Sequence, residues 1–177
     1  MKKAPWVLIF CCLVFALLAP EPMLAQAEAP VSVDMGIGVA GPGEEASVPV
    51  KLSMPDRQVS GITFDVSFSK KLVSFRSVVK APAGQAADLE IKTDLQAGEE
   101  EDTLRVELLS SSAIPQGELV ELKFEVSKEA KPNDEVTLQN RTQAARNAGG
   151  QPLPARGADG LITIVGDAIF SCFFYMH

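Results

Sequence analysis

Residues 61–75 read Gly-Ile-Thr-Phe-Asp-Val-Ser-Phe-Ser-Lys-Lys-Leu-Val-Ser-Phe. From Ile62 to Phe68, apolar side chains occupy every second position, and polar side chains occupy the positions between them. A period of two, rich in aromatic and β-branched residues, is typical of a strand that buries one face and leaves the other in water. The apolar face needs a second sheet to cover it, so the stretch predicts a β-sandwich. The polar face is predicted to be available to a partner.

The same alternation recurs along the chain between turn signals, and no segment has a helical period. Residues 81–87 and 141–158 are predicted to be loops, and the acidic run at 99–102 is predicted to be a solvated hairpin tip. Pro49 cannot donate a hydrogen bond to a sheet, so its strand is expected at an edge or with a bulge. The strands are expected at residues 31–39, 46–54, 61–69, 72–79, 88–94, 103–110, 119–127, 135–139 and 160–165.

These segments indicate an all-β fold, an antiparallel β-sandwich of about nine strands. The inward phases of the strands predict which side chains form its core. The predicted core contains Val48, Val50, Leu52, Ile62, Phe64, Val66, Phe68, Val106, Leu108, Val120, Leu122 and Phe124.

The two ends of the chain are expected to lie outside this domain. Lys2 and Lys3 precede an uncharged apolar run, and Ala-Gln-Ala at 25–27 has the small residues that signal peptidase recognises, so residues 1–27 are predicted to be a secretory signal peptide. The run is shorter than the roughly 20 apolar residues of a membrane span. Export to the cell surface, periplasm or medium is therefore expected, with a domain at 28–165 and no membrane span in the mature chain. Residues 166–177 form an apolar tail, which either packs on the domain or ends an interrupted reading frame.

The composition argues against several classes of function. With 16 basic and 23 acidic side chains, the net charge of −7 disfavours nucleic acid and anionic lipid as partners. The only histidine is His177, and the only cysteine after cleavage is Cys172, so no catalytic residues, cofactor or metal site are predicted. Trp6 and Tyr175 are the only residues of their types, which disfavours the stacking of sugar rings. Asn-Arg-Thr at 140–142 matches a glycosylation sequon, for which chance is the simpler explanation.

Several stretches resemble, in order and spacing, the bacterial cohesin modules that hold dockerin-bearing enzymes on cellulosome scaffolds. Residues 43–50, Gly-Glu-Glu-Ala-Ser-Val-Pro-Val, are similar to the family's Gly-Asp-Thr-Val-Thr-Val-Pro-Val. Residues 64–75 resemble Phe-Asp-Leu-Ser-Tyr-Asp-Pro-Ser-Val-Leu-Ser-Phe without gaps. Residues 104–111, 117–126 and 160–164 are similar to the later strands. The resemblance spans residues 31–165 and implies a nine-stranded jelly-roll sandwich.

The resemblance also implies non-covalent recognition of a protein, a dockerin or another partner, in polysaccharide-degrading or cell-surface assemblies. In the cohesin architecture, the strand at 61–69 lies beside the strand at 103–110 in the partner-facing sheet. Leu109 would be an apolar anchor on an otherwise polar face. The residues predicted to bind a partner are Thr63, Asp65, Ser67, Arg105, Glu107 and Leu109.

The chain departs from the cohesin pattern at the centre of that face. Many scaffold cohesins carry Asn-x-Asp where this chain has Gly61 and Thr63, and Phe-Ser-Lys at 68–70 replaces Tyr-Asp-Pro. These departures argue against the standard dockerin contact. A carbohydrate-binding module and a purely structural envelope module remain as alternatives.

Overall fold

The computed structural model describes residues 29–54 and 58–166. The predicted signal peptide at 1–27 and the apolar tail from residue 167 lie outside these ranges. Within them the chain forms twelve strands and one short helix, arranged as two facing sheets. No helix in the described ranges is long and apolar enough to cross a membrane.

The five-stranded sheet has the order β11-β1-β3-β8-β5, and the seven-stranded sheet has the order β2-β12-β9-β4-β7-β6, with β10 beside β9. A single helical turn, α1 (Pro82–Ala86), connects β5 to β6. The strands are β1 (Val31–Met35), β2 (Ile37–Ala40), β3 (Glu45–Ser53), β4 (Val59–Ser69), β5 (Val73–Lys80), β6 (Glu90–Gln96), β7 (Glu101–Ile114), β8 (Gly117–Val126), β9 (Glu135–Arg146), β10 (Pro152–Leu153), β11 (Ala155–Ala158) and β12 (Gly160–Ile164).

The core lies between the two sheets and contains every residue that the alternation predicts there. Phe124 is fully buried, with its ring centroid 5.1 Å from that of Phe68 and 6.0 Å from that of Phe75, and both contacts are edge-on. Such T-shaped pairs are favourable because the positive edge of one ring meets the negative face of the other. The predicted β-sandwich, with its jelly-roll topology, is confirmed.

The prediction of a loop at residues 141–158 is wrong. β9 continues to Arg146, and β10 and β11 follow within the same stretch. The alternation is hard to see there because the inward position after Leu138 is polar: Asn140 is buried, and it satisfies its amide by hydrogen bonds rather than by apolar contact. A register shift opposite Thr63 then moves the inward phase to Ala145.

The sandwich is mainly antiparallel, with two parallel pairings at its edges, β1 with β11 and β2 with β12. They arise because the predicted strand at 31–39 divides at Gly36 and changes sheet. A side chain at Gly36 would meet Pro49, since an added Cβ would lie 2.6 Å from the proline ring. Pro49 itself lies in a central strand, next to a register shift after Val50, so the bulge is found and the edge position is not.

The loop predicted at residues 81–87 contains α1, which begins at a proline and packs against β8. Pro82 suits the first turn of a helix, where its missing N–H would have no partner. Gly84 allows the close approach: an added Cβ would lie 2.1 Å from the main-chain oxygen of Leu119. The helix therefore packs closely on β8, with Ala83 against the core.

Candidate protein-interaction face

Four neighbouring strands of the seven-stranded sheet, β9, β4, β7 and β6, present a polar surface on the side away from the core. We call this surface the outer face. On β4 the inward side chains are buried, so the alternate ones point outward. Directly opposed residues in an antiparallel pair project to the same side of a sheet. The pairing registers therefore determine which side chains share this face.

All six residues that the sequence predicts to bind a partner lie on the outer face, on the adjacent strands β4 and β7. In the register, Asp65 lies opposite Arg105, and Thr63 lies opposite Glu107. Ser67 lies opposite Thr103, and their hydroxyl oxygens are 3.0 Å apart. Leu109 lies one pair further along, opposite Gly61. The structure thus brings the set together, and their role in binding remains a prediction.

Asp65 and Arg105 form the central contact of the outer face. Nε of Arg105 donates to Oδ1 of Asp65 at 2.8 Å, and Nη2 donates to Oδ2 at 2.9 Å. The side chain of Asp65 is only 12% exposed, whereas that of Arg105 is 49% exposed. The hydrogen bond from Arg105 and the charge of Asp65 raise the pKa of the arginine above its ordinary value. The expectation that Asp65 faces water is therefore wrong, because the paired guanidinium covers it.

This pair is the middle of a row of alternating charges that crosses all four strands. Arg141 on β9 lies opposite Asp65, and Asp94 on β6 lies opposite Arg105. The order across the face is thus Arg141, Asp65, Arg105, Asp94, with each charge beside one of opposite sign. Cross-strand pairs of opposite charge stabilise a sheet, and the two hydrogen bonds to Asp65 restrain the Arg105 guanidinium.

A shallow depression of about 350 Å³ lies beside the row, toward Leu109. Lys92 and Glu107 face each other across β6 and β7 in the register, and both line the depression. Lys92 also lies 3.3 Å from Glu90 on its own strand. The complete lining is Thr63, Lys92, Thr93, Asp94, Arg105, Glu107 and Arg146.

Leu109, predicted to be an apolar anchor on this face, is half-buried. One side of it lies against Gly61, where an added Cβ would be 3.2 Å from Cδ2 of the leucine. It also lines a second depression of about 450 Å³, together with Asp88, Glu90 and Ser110. Leu109 is therefore an apolar ridge between two polar depressions.

Two outer strands of this face supply residues that the sequence analysis did not select. On β9 these are Gln139, Arg141 and Arg146, and on β6 they are Lys92, Asp94 and Gln96. Arg141 and Arg146 were missed because their strand was predicted to end at residue 139. Gln139 lies within that predicted strand and was missed because the sequence does not show that the strand pairs with β4. The β6 residues alternate in the sequence as expected. They were missed because the sequence does not show that β6 is the strand that pairs with β7.

The other kinds of site have little support among the described residues. No group of histidine, cysteine, aspartate or glutamate there could hold a metal ion. Tryptophan and tyrosine are absent from the described ranges, and Phe64, Phe68 and Phe124 are fully buried. Phe75 is half-buried against Phe124. The described surface thus has no aromatic platform on which a sugar ring could stack.

The comparisons with known proteins agree with this architecture. No protein-family profile and no curated protein sequence matches the chain. Among solved structures, it is similar to a chain of a type I cohesin–dockerin complex from Clostridium thermocellum, with 18% identity, a TM-score of 0.66, and coverage of 77% of this chain and 100% of that one. A non-cellulosomal cohesin from Archaeoglobus fulgidus has 20% identity and a TM-score of 0.60, with coverage of 79% and 94%. The sixth cohesin of Acetivibrio cellulolyticus scaffoldin B, in complex with a dockerin, has 16% identity and a TM-score of 0.65, with coverage of 77% and 99%. The chain therefore has the cohesin fold.

Proposed function

We propose that this protein is a non-catalytic recognition module that binds a protein partner through the outer face. The observation that carries the proposal is the charge row, in which a buried aspartate holds an arginine that is half in water. Side chains that are already ordered lose less conformational entropy on binding than free ones. The fold supports the proposal, because chains of similar structure are found in complexes with dockerins.

The partner is a dockerin-like module or another protein with a surface that complements this face. Leu109 is its apolar centre, since it is the half-buried leucine between the two polar depressions. Gly61 and Thr63 lie where many scaffold cohesins carry Asn-x-Asp, and they lack those amide and carboxylate groups. The partner therefore makes its polar contacts with the arginine-containing row rather than with that motif.

The proposal includes export. Residues 1–27 act as a signal peptide and residues 28–165 form the domain that functions outside the cytoplasm. The motif at residues 25–27 and the apolar run before it support this assignment. N-terminal sequencing of the protein from the producing cells should give a chain that begins at Glu28. A chain that retains Lys2 and Lys3 would contradict export by cleavage.

The binding proposal is tested by a leucine-to-aspartate change on the outer face. The purified protein is immobilised and exposed first to a type I dockerin module and then to the exported proteins of the producing organism. Leu109→Asp should weaken the capture of any specific partner by roughly 30-fold, which corresponds to about 2 kcal/mol for the loss of an interface anchor. Because Leu109 is half-buried, the variant should also lose about 1 kcal/mol of folding stability, so binding is measured well below its melting temperature.

A matched control lies on the opposite sheet. A change at Lys123 would be a poor control, because it would also break ion pairs: the ammonium lies 3.0 Å from Glu121 and within 4.0 Å of Glu45. Val79 on β5 is better, since it is another apolar residue on a polar surface and is 45% exposed. Val79→Asp changes the net charge by the same amount and should leave binding unchanged. Equal binding by both variants and the parent would place recognition elsewhere.

Carbohydrate binding is the outcome that would contradict the proposal of a protein partner. Insoluble cellulose and other glycans are incubated with the same purified protein. Retention on a polysaccharide that Leu109→Asp does not affect would assign the module to glycans.

A further inference from the structure

Arg146 is the one arginine of the outer face whose guanidinium makes no hydrogen bond or ion pair with any described residue. It lies at the end of β9, opposite Gly61 in the register. Gly61 has no side chain to occupy the space beside it. The arginine can therefore lie over β4, and it lines the 350 Å³ depression with Lys92 and Glu107 from the two strands beyond.

The other cations of the depression are partly committed. Arg105 gives two of its five N–H groups to Asp65, which leaves three N–H groups outside that pair. Lys92 lies 3.3 Å from Glu90. Lys92, Arg105 and Arg146 thus contribute three positive charges to the lining, against two negative charges from Asp94 and Glu107. Asp65 and Glu90, which lie outside the lining, pair with Arg105 and Lys92, so Arg146 is the cation of the depression left to meet an incoming group.

We propose that the partner inserts an acidic side chain into this depression, where Arg146 and the remaining N–H groups of Arg105 bind its carboxylate. The inference rests on the proposed function, since it names the chemistry that the outer face recognises. A guanidinium matches a carboxylate because two parallel N–H groups meet two oxygens. Asp65 is a positioning residue in this arrangement: it fixes the plane of the Arg105 guanidinium and leaves its outer edge for the partner.

Glu107 limits how an acidic side chain can enter the depression, because it carries a negative charge of its own. It lies between Thr63 and Lys92 in the register, so it repels a carboxylate that enters the depression from the β7 side. The acidic group should therefore approach from the side of β9, where Arg146 lies. Removing the charge of Glu107 should strengthen the binding of an acid rather than weaken it.

The test uses three synthetic alanine-based peptides of about 16 residues, long enough to form some helix, which carry glutamate, glutamine or lysine at the same positions. The full chain, labelled with ¹⁵N, is titrated with each peptide at millimolar concentration, and the Nε–H signals of Arg105 and Arg146 are followed. The glutamate peptide should shift both signals, and the glutamine and lysine peptides should not. Equal shifts with the lysine peptide, or no response to the glutamate peptide, would overturn the inference.

Substitutions then connect the response to the residue. Arg146→Gln should weaken binding of the glutamate peptide about tenfold or more, as expected for the loss of a charge-assisted contact. Arg156→Gln makes the same change of charge on the exposed β11 strand of the other sheet and should have no effect. Glu107→Gln should raise the affinity, because it removes the charge that repels the carboxylate. A loss of affinity in Glu107→Gln equal to that in Arg146→Gln would contradict the assigned polarity.

Two further measurements separate this inference from the proposed function and from another source of carboxylate. If Leu109→Asp abolishes capture of the protein partner while Arg146→Gln does not affect it, the face binds a protein but not through an acid at this position. Oligogalacturonate supplies carboxylates from a polysaccharide. A tighter response to it than to the glutamate peptide would overturn the assignment to a protein side chain.

Discussion

Asn140 provides the sharpest test of how the outer face is held in place. Its side chain is buried, although it belongs to a sequon that resembles a surface glycosylation site. Its Nδ2 donates to the main-chain oxygens of Val33 at 2.8 Å and of Ala158 at 3.2 Å, and both acceptors belong to the opposite sheet. Asn140 therefore joins the two sheets and fixes the phase of β9. That phase places Arg141 on the outer face, and the register shift further along β9 then places Arg146 there as well.

The expected loss of unfolding free energy on substitution of Asn140 follows from these two hydrogen bonds. Each contributes about 1 kcal/mol, and a buried carbonyl left without a donor costs about 1–3 kcal/mol. Asn140→Ala should therefore lose roughly 2–4 kcal/mol of unfolding free energy. Asn140→Asp should lose more at neutral pH, because a carboxylate oxygen then faces two carbonyl oxygens in place of the amide N–H groups.

The aspartate variant also has a signature in its pH dependence. Burial beside carbonyl oxygens disfavours the charged form and raises the pKa of the introduced carboxyl in the folded state. The protonated carboxyl can donate one hydrogen bond, so the variant should come closest to the parent below about pH 4, the unfolded value. Its deficit should grow as the pH rises through the folded pKa.

Urea denaturation of the parent and the two variants at pH 4 and pH 7 measures both effects. The difference between parent and variant is compared at each pH, which removes the pH dependence of the parent. A loss below about 0.5 kcal/mol in Asn140→Ala, the scale of a neutral surface substitution, would refute the role of this side chain. Glycosylation of this asparagine in the folded protein would refute it as well.

Three further changes test the core, a close contact and a surface carboxylate. Phe124→Ala should lose about 3–5 kcal/mol in urea denaturation, because the ring is fully buried and packs edge-on against two others. Gly84→Ala should lose roughly 2–3 kcal/mol, since its Cβ would press on a β8 carbonyl, whereas Gly150→Ala meets no atom within 4 Å and should lose about 1 kcal/mol for its φ of 75°. The hydrogen bond from Ser47 lowers the pKa of Glu121 from its ordinary 4.5, so the stability that it contributes is present above that value and lost as the pH falls through the folded pKa. Glu121→Gln should thus be less stable than the parent at neutral pH and equal to it in strong acid, and a constant deficit at all pH values would contradict this.

The core was predictable because an apolar side chain at an inward strand position is buried, and the local alternation of the sequence identifies such positions. Val48, Phe64 and Leu122 belong to different strands, and each is fully buried as its phase predicts. The same rule failed at Asn140, where burial is offset by hydrogen bonds to another sheet. No local pattern identifies those acceptors, because they come from Val33 and Ala158, far away in the sequence.

The outer face was predictable in its position and only partly in its geometry. Alternation and the cohesin resemblance together place Asp65 and Arg105 on neighbouring strands, and the structure sets them directly opposite each other. The burial of Asp65 depends on the arginine that lies over it, which is a contact between residues 40 positions apart. The contribution of Arg146 depends on the length of β9 and on a register shift within it. Strand register and cross-strand contacts of this kind can be read only from the folded structure.

This chain is only 14–20% identical to the cohesins of similar structure. The difference between inward and outward strand positions explains why the fold persists at such low identity. The sandwich requires apolar side chains only at inward positions, and many apolar residues satisfy that requirement. Outward positions on β9, β4, β7 and β6 are free of it, so they can change while the fold persists. Under the proposed function, partner choice lies in those outward residues, here the charge row, Leu109 and Arg146. A shared fold therefore does not by itself fix a partner, and under the proposed function the side chains on this face determine which protein binds.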